Sequence, residues 1–195
     1  GAASKTGVGL FARAFMDAFP LLPVEEEGRL HAPVLRENFI ERIFIMNRWL
    51  QFKNANPAPG ALVEFHTRHK LLIMAHSIVH YRSMGSLVAK SSVLPLSEVL
   101  QEYELQLMTA TKKAATPARH QNVLLHILGY FKKDLNAFEK AELVELIDKY
   151  KAGLLPLIVP ITLLNHYVHK YAKEYLAKQV YLSPHPLELK LRNHC

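Results

Sequence analysis

LVEFHTRHKLLIMAHSIVH, Leu62 to His80, is the stretch whose periodicity sets the fold class. Along it His66, His69, Ile73, His76 and His80 recur every three or four residues. At 100° per residue they share one side of a helix, next to Phe65, Leu72 and Val79. The strict apolar–polar alternation of a half-buried strand is absent here and in the rest of the chain.

Moving outward, the same period predicts helices over Ala61–Arg82, Leu96–Lys113, Pro117–Lys133, Ala137–Ala152 and Pro156–Tyr175, with a shorter piece at Leu187–Leu191. The punctuation agrees. Ser97 and Glu98 make an acidic first turn, Pro117 opens a helix and Gly153 follows one. Upstream, Pro33 opens a long amphipathic helix carrying Phe39, Ile43, Ile45, Met46, Trp49 and Leu50. Before it, Gly7 and Gly9 lead into a short helix over Leu10–Phe19, which ends at Pro20, and Leu21–Leu30 reads as a loop. The expected fold is all-α, a multi-helix bundle with a short N-terminal helical appendage. KNANPAPG, Lys53 to Gly60, breaks the helical period with two prolines and two asparagines, so it reads as a linker. The expected organisation is an N-terminal remnant over 1–53, a linker over 54–60 and a helical domain over 61–195.

With 195 residues, half of them hydrophobic, the chain can bury one substantial core. Its net charge of +7 is unevenly placed: Lys and Arg number 7 against 6 acids up to Pro59, and 17 against 11 from Gly60 on. A basic excess attracts polyanions without choosing among nucleic acid, anionic membrane and acidic protein. Cys195 is the only cysteine, which excludes an internal disulfide and any cysteine-based zinc or iron–sulfur site closed within one chain. A reducing, cytoplasmic setting is the expectation. The longest apolar run, Leu154–Leu164, contains Pro156 and Pro160 and falls far short of the ~20 residues needed to cross a bilayer, so no membrane association is expected.

Ten of the eleven histidines follow Gly60, in blocks shared with Lys, Arg, Asn and Tyr: HTRHK (66–70), RHQN (119–122), NHYVHK (165–170) and RNH (192–194). Such blocks, poor in carboxylates, suit phosphates and base edges. His69 and His76, flanked by large apolar side chains, read as core histidines. His66-x-x-His69, His76-x-x-x-His80 and His166-x-x-His169 have ligand-compatible spacing but lack the acidic partner of a hydrolytic zinc site, so no metal is expected. No nucleophile elbow, P-loop or dinucleotide fingerprint occurs, and no catalytic residue is assigned. Gly129, inside a helical pattern, reads as a point of close approach of another helix or of a ligand. Asn165 and His166 follow the apolar run and are expected at the mouth of the main cavity, with His126 across from them.

LVEFHTRHKLLIMAHS (62–77), RHQNVLLHILGYFKK (119–133), GLLPLIVPITLLNHYVHKY (153–171) and YLSPHPLELKLRNH (181–194) closely resemble the YbgA-like family, a domain of unknown function. GVGLFARAFMDAFPLLPVEEEGRL (7–30) and LRENFIERIF (35–44) resemble the C-terminal end of the thiouracil-desulfidase-like domain that often precedes it. In that domain three cysteines bind a 4Fe-4S cluster whose free iron accepts sulfur from a thiolated pyrimidine. None of those cysteines is present, so the resemblance implies that the catalytic part is missing and that any cluster belongs to a preceding domain. It further implies a fusion that removes sulfur from 4-thiouridine in tRNA, with the YbgA-like part binding the tRNA. On that reading Arg68, Lys70, Arg119, Lys132, Lys133, Lys170 and Arg192 hold phosphates. His66, Asn122, His126, Tyr130, Asn165 and His166 contact a base or sugar. The expected partners are tRNA and the desulfidase-like domain in cis. Two rival readings stay open: an interaction module packing on that domain or on a second subunit, and an unassigned histidine-based enzyme. The sequence leaves the oligomeric state undetermined.

Overall fold

The computed structural model describes residues 9–194. Gly7, read as part of a helix lead-in, and Cys195 lie outside the described residues. Within these bounds the chain is all-α, with no strand. The helices are α1 (Leu10–Ala18), α2 (Pro33–Asn54), α3 (Pro59–His76), α4 (Ile78–Ala89), α5 (Leu96–Ala110), α6 (Pro117–Leu128), α7 (Ala137–Lys151), α8 (Ile158–Lys170) and α9 (Glu174–Ala177). Short 3-10 segments lie at Glu27–His31, Gly129–Phe131, Val180–Leu182 and Leu187–Leu189.

Prolines stand in the first turns of α2, α3 and α6, where the missing N–H has no partner to lose. Asn136 and Glu139 form a reciprocal capping box on α7. That helix stops at Gly153, whose φ of 74° lets the Leu154 N–H donate back to the Lys149 carbonyl at 2.9 Å. Pro160 falls in the first turn of α8, so the helix begins between the two prolines.

Three expectations need correction. The helix expected over Ala61–Arg82 is broken at Ser77, whose extended backbone ends α3 and whose Oγ accepts the His80 N–H to cap α4. No other helix closes on Gly129, because a Cβ there would meet nothing within 4 Å; it stands where α6 tightens into a 3-10 turn. The helix expected over Pro156–Tyr175 ends at Lys170, and Ala172, at φ 47°, redirects the chain into α9.

α3 is the central element. Its residues from Leu71 to His76 are all buried, and it packs on α4, α5, α6 and the 3-10 turn at Val180–Leu182. α2 joins the same core rather than standing apart from it. Trp49, fully buried, stacks on Tyr103 of α5 at 5.1 Å and meets Phe65 of α3 edge-on at 5.4 Å. Lys53 pairs with Glu104 at 2.6 Å. The expected linker over 54–60 is a short, largely exposed turn between two helices that share one core. Asn56, at φ 47°, lies just past the end of α2, and Pro59 starts α3. Far along the chain the tail returns to these helices: the Gln179 amide donates to the Thr67 carbonyl at 2.8 Å, and the Ile158 N–H to the Arg192 carbonyl at 3.1 Å.

Candidate functional site

The sequence-derived phosphate ligands separate into several environments. Arg68, Lys132 and Lys133 are exposed. Lys70 lies with its Nζ 5.0 Å from the ring centre of Tyr175. Arg119 donates to the His76 carbonyl at 2.7 Å, tying down the C-terminal end of α3. Lys170 pairs with Glu139 at 3.0 Å and lies over Tyr171. Arg192 is not available to a phosphate. It is 3% exposed, donates to Glu37, Glu41 and the Tyr181 carbonyl, and its guanidinium lies over the Tyr181 ring.

The expected base pocket also divides. Asn122, His126 and His166 are exposed, and His166 packs edge-on against Tyr167. Asn165 lines a cavity of about 240 Å³ with Thr162, His185 and Arg192, and neither His126 nor His166 lines that cavity. His66 is buried, bonded to the Tyr103 hydroxyl at 3.1 Å. Burial, with Lys70 nearby, depresses its pKa to about 4, so the ring is neutral.

A surface the sequence did not assemble forms around Tyr130. Its ring is 41% exposed and stacks on Tyr175 of α9 at 5.2 Å and 25°, while His126 meets it edge-on at 5.5 Å. Lys70 covers Tyr175. Lys70 also lines, with His66, Tyr81 and Arg82, a shallow groove of about 560 Å³ between α3 and α4. None of the ion pairs among the described residues engages Lys70, Arg82, Lys132 or Lys133. Stacked aromatic rings beside uncompensated cations form a surface able to hold a base by its face and a phosphate by its charge. Tyr175 was missed because α9 carries too few residues to show a period.

A second constellation is interior. Glu37 and Glu41, one turn apart on α2, point the same way and meet residues from α3, α6, α7 and the tail. His76 donates from Nδ1 to the Lys113 carbonyl at 2.8 Å and from Nε2 to Glu41 at 2.6 Å, which requires the imidazolium. Burial alone would raise the Glu41 carboxyl, but the hydrogen bond and charge of His76, together with Arg192, hold it at about 2. Burial would lower His76, and Glu41 outweighs it, so the pKa is raised. Glu37 is raised by burial despite Arg192, and bonds His194 at 2.7 Å. His120, bonded to the Tyr181 hydroxyl at 3.0 Å, is driven down to about 3 by burial and by Arg192. These groups border a cavity of about 110 Å³ that also includes Asn38, Tyr150 and Leu157. The core reading of His69 and His76 holds: His69 bonds the Phe65 carbonyl at 2.7 Å and stacks on the Phe65 ring. Among the described residues no group of three or more His, Cys, Asp or Glu is disposed to hold a metal ion. The available signal for this interior site was the pair Glu37 and Glu41, carboxylates at i and i+4 on a helix that also buries Ile45 and Trp49.

The family model described as "Protein of unknown function (DUF1722)" matches residues 70–186. The chain belongs to this YbgA-like family. It is 33% identical to "Uncharacterized protein YbgA" of Escherichia coli (strain K12) over 153 residues, which are 78% of this chain and 90% of that protein. That match is longer than the stretch from Ala61 to Cys195, so it takes in residues of the N-terminal segment as well. No solved structure matches the chain.

Proposed function

We propose that this YbgA-like chain is a non-catalytic RNA-binding module whose ligand is tRNA. It acts in the cytoplasm and holds the tRNA for a desulfidase-like domain preceding it in the same polypeptide. The observation that carries the reading is the Tyr130–Tyr175 stack, edged by His126 and topped by Lys70, beside a groove lined by Arg82. An unstacked base added to such a pair gains about 1–3 kcal/mol with little regard to its identity. The net charge of +7 supplies the sequence-independent attraction. Of the expected phosphate ligands, Arg68, Lys70, Lys132 and Lys133 keep that role and Arg82 joins them. Arg119 and Arg192 serve the fold, and Lys170 is held by Glu139. A 4Fe-4S cluster does not fit this chain's residues, because Cys195 is its only cysteine.

The test is tRNA affinity by fluorescence anisotropy across a salt series. Log K should fall linearly with log salt, by roughly 0.7–0.9 per phosphate contact. Tyr130→Ala with Tyr175→Ala should weaken binding by at least about tenfold and leave the slope unchanged, since stacking releases no counterions. Lys70→Ala with Arg82→Ala should lower both affinity and slope. Full affinity in the tyrosine double variant, or binding indifferent to salt, would remove the proposal.

A further inference from the structure

In the interior cavity the charged groups satisfy one another. Glu41 takes His76 on one carboxylate oxygen and Arg192 on the other, and Glu37 takes Arg192 and His194. A third Arg192 donor goes to the Tyr181 carbonyl, and the second His76 nitrogen to Lys113. Every carboxylate oxygen already faces a cation, both His76 nitrogens are taken, and Arg192 does not line the cavity. Three neutral groups on the cavity wall have hydrogen-bonding capacity to spare. Asn38 Oδ1 is buried and without a partner. His120, 7% exposed, has Nδ1 committed to Tyr181, and its Nε2 has no partner among the described residues. The Tyr150 hydroxyl has none either, and burial keeps it protonated. Buried polar atoms are almost always paired, so the unpaired Asn38 Oδ1, with His120 Nε2 and the Tyr150 hydroxyl open on the same space, points to a ligand.

We infer that this cavity binds a small uncharged molecule that both donates and accepts hydrogen bonds, of the primary amide or lactam class. The lining fits both parts of such a molecule. Asn38 Oδ1 requires a donor, and the Tyr150 hydroxyl offers a proton to a carbonyl. Val34, Ala114, Ala115, Pro117 and Leu157 supply apolar walls for a short hydrocarbon part. A cavity of about 110 Å³ is somewhat smaller than the ~150 Å³ that accepts benzene, so about six non-hydrogen atoms is the upper limit for an enclosed guest, and the open side gives the largest of these room. Val34, Pro117 and Gly153 are exposed, which opens the cavity to solvent between α2, α6 and α7. An anion would meet the Glu37 and Glu41 carboxylates, and a cation would find each of their oxygens already facing His76, His194 or Arg192.

The probe is 2-pyrrolidone, titrated into the full chain and followed by the NMR resonances of the His120 and Tyr150 rings. Acetate and methylguanidinium serve as charged probes of similar size. The lactam should give saturable shifts in the millimolar range, at least tenfold tighter than either ion. Tyr150→Phe removes a hydroxyl that bonds nothing in the protein. It should weaken the lactam roughly three- to tenfold while the melting temperature stays level or rises. Absence of shifts, equal response to all three probes, or unchanged lactam affinity in Tyr150→Phe would overturn the inference and leave the cavity to water alone. The RNA surface is a separate test: Tyr150→Phe should keep full tRNA affinity, and the Tyr130 and Tyr175 variants should keep lactam binding.

Discussion

At position 41 a carboxylate with almost no exposure receives His76 on one oxygen and Arg192 on the other. Removing its charge strands two buried cations, and breaking such an arrangement costs about 3–5 kcal/mol, far more than an exposed ion pair contributes. Glu41→Gln should therefore lower stability by about that amount in urea unfolding. Lys149→Ala, which breaks the exposed pair with Glu145, should change it by less than about 0.5 kcal/mol. Equal effects of the two substitutions would show that the interior charges do not act as a unit. The spacing of Glu41 from Glu37 marks a shared helix face, but its partners are not legible in the sequence. Glu41 sits 35 positions before His76 and 151 before Arg192, and no helical period links them. Arg192 illustrates the same limit from the other side, since a terminal Arg-Asn-His block looks like a phosphate ligand until the tail is seen folding back under α2.

Among the elements, α2 carries the sharpest consequence, because the same prolines and asparagines serve equally well as a linker or as the stop and start of two packed helices. Local composition could not decide between these, since the deciding contacts run from Trp49 to Phe65 and Tyr103. Trp49→Ala should cost about 3–5 kcal/mol, as loss of a fully buried aromatic does. A chain begun at Gly60 should fail to give a cooperative melt; a shortened chain with native stability would restore the linker. The helix types were legible wherever a cap or a proline coincided with the hydrophobic period, as at Pro33, Pro117 and Gly153. The break at Ser77 was not, because it carries neither glycine nor proline. Its signal is a serine able to cap, and Ser77→Ala should cost about 1 kcal/mol.

For the molecule as a whole the histidines set the response to pH. His66 and His69 have folded pKa values of about 4 and His120 of about 3, each lowered from 6.5 first of all by burial. Between pH 6.5 and about 4 the unfolded chain takes up protons at these three positions and the folded chain does not, so stability must fall as pH falls through that window. Glu41 adds to the loss further down. Its folded value of about 2 lies below the ordinary 4.5, so its contribution is present above 4.5 and disappears as pH drops towards 2. Glu37 is shifted the opposite way and offsets part of this. His76, raised by Glu41, contributes fully below 6.5 and loses its contribution as pH climbs through its folded value. Stability should therefore peak near neutrality. The acid-side loss should reach several kcal/mol by pH 4, on the order of the 5–15 kcal/mol that holds an ordinary domain together. Urea unfolding at about pH 7, 5.5 and 4.5 checks this directly, with midpoints expected to fall at each step. Equal midpoints at about pH 7 and 4.5 would mean that these three histidines titrate in the folded chain as they do in water, which their burial forbids.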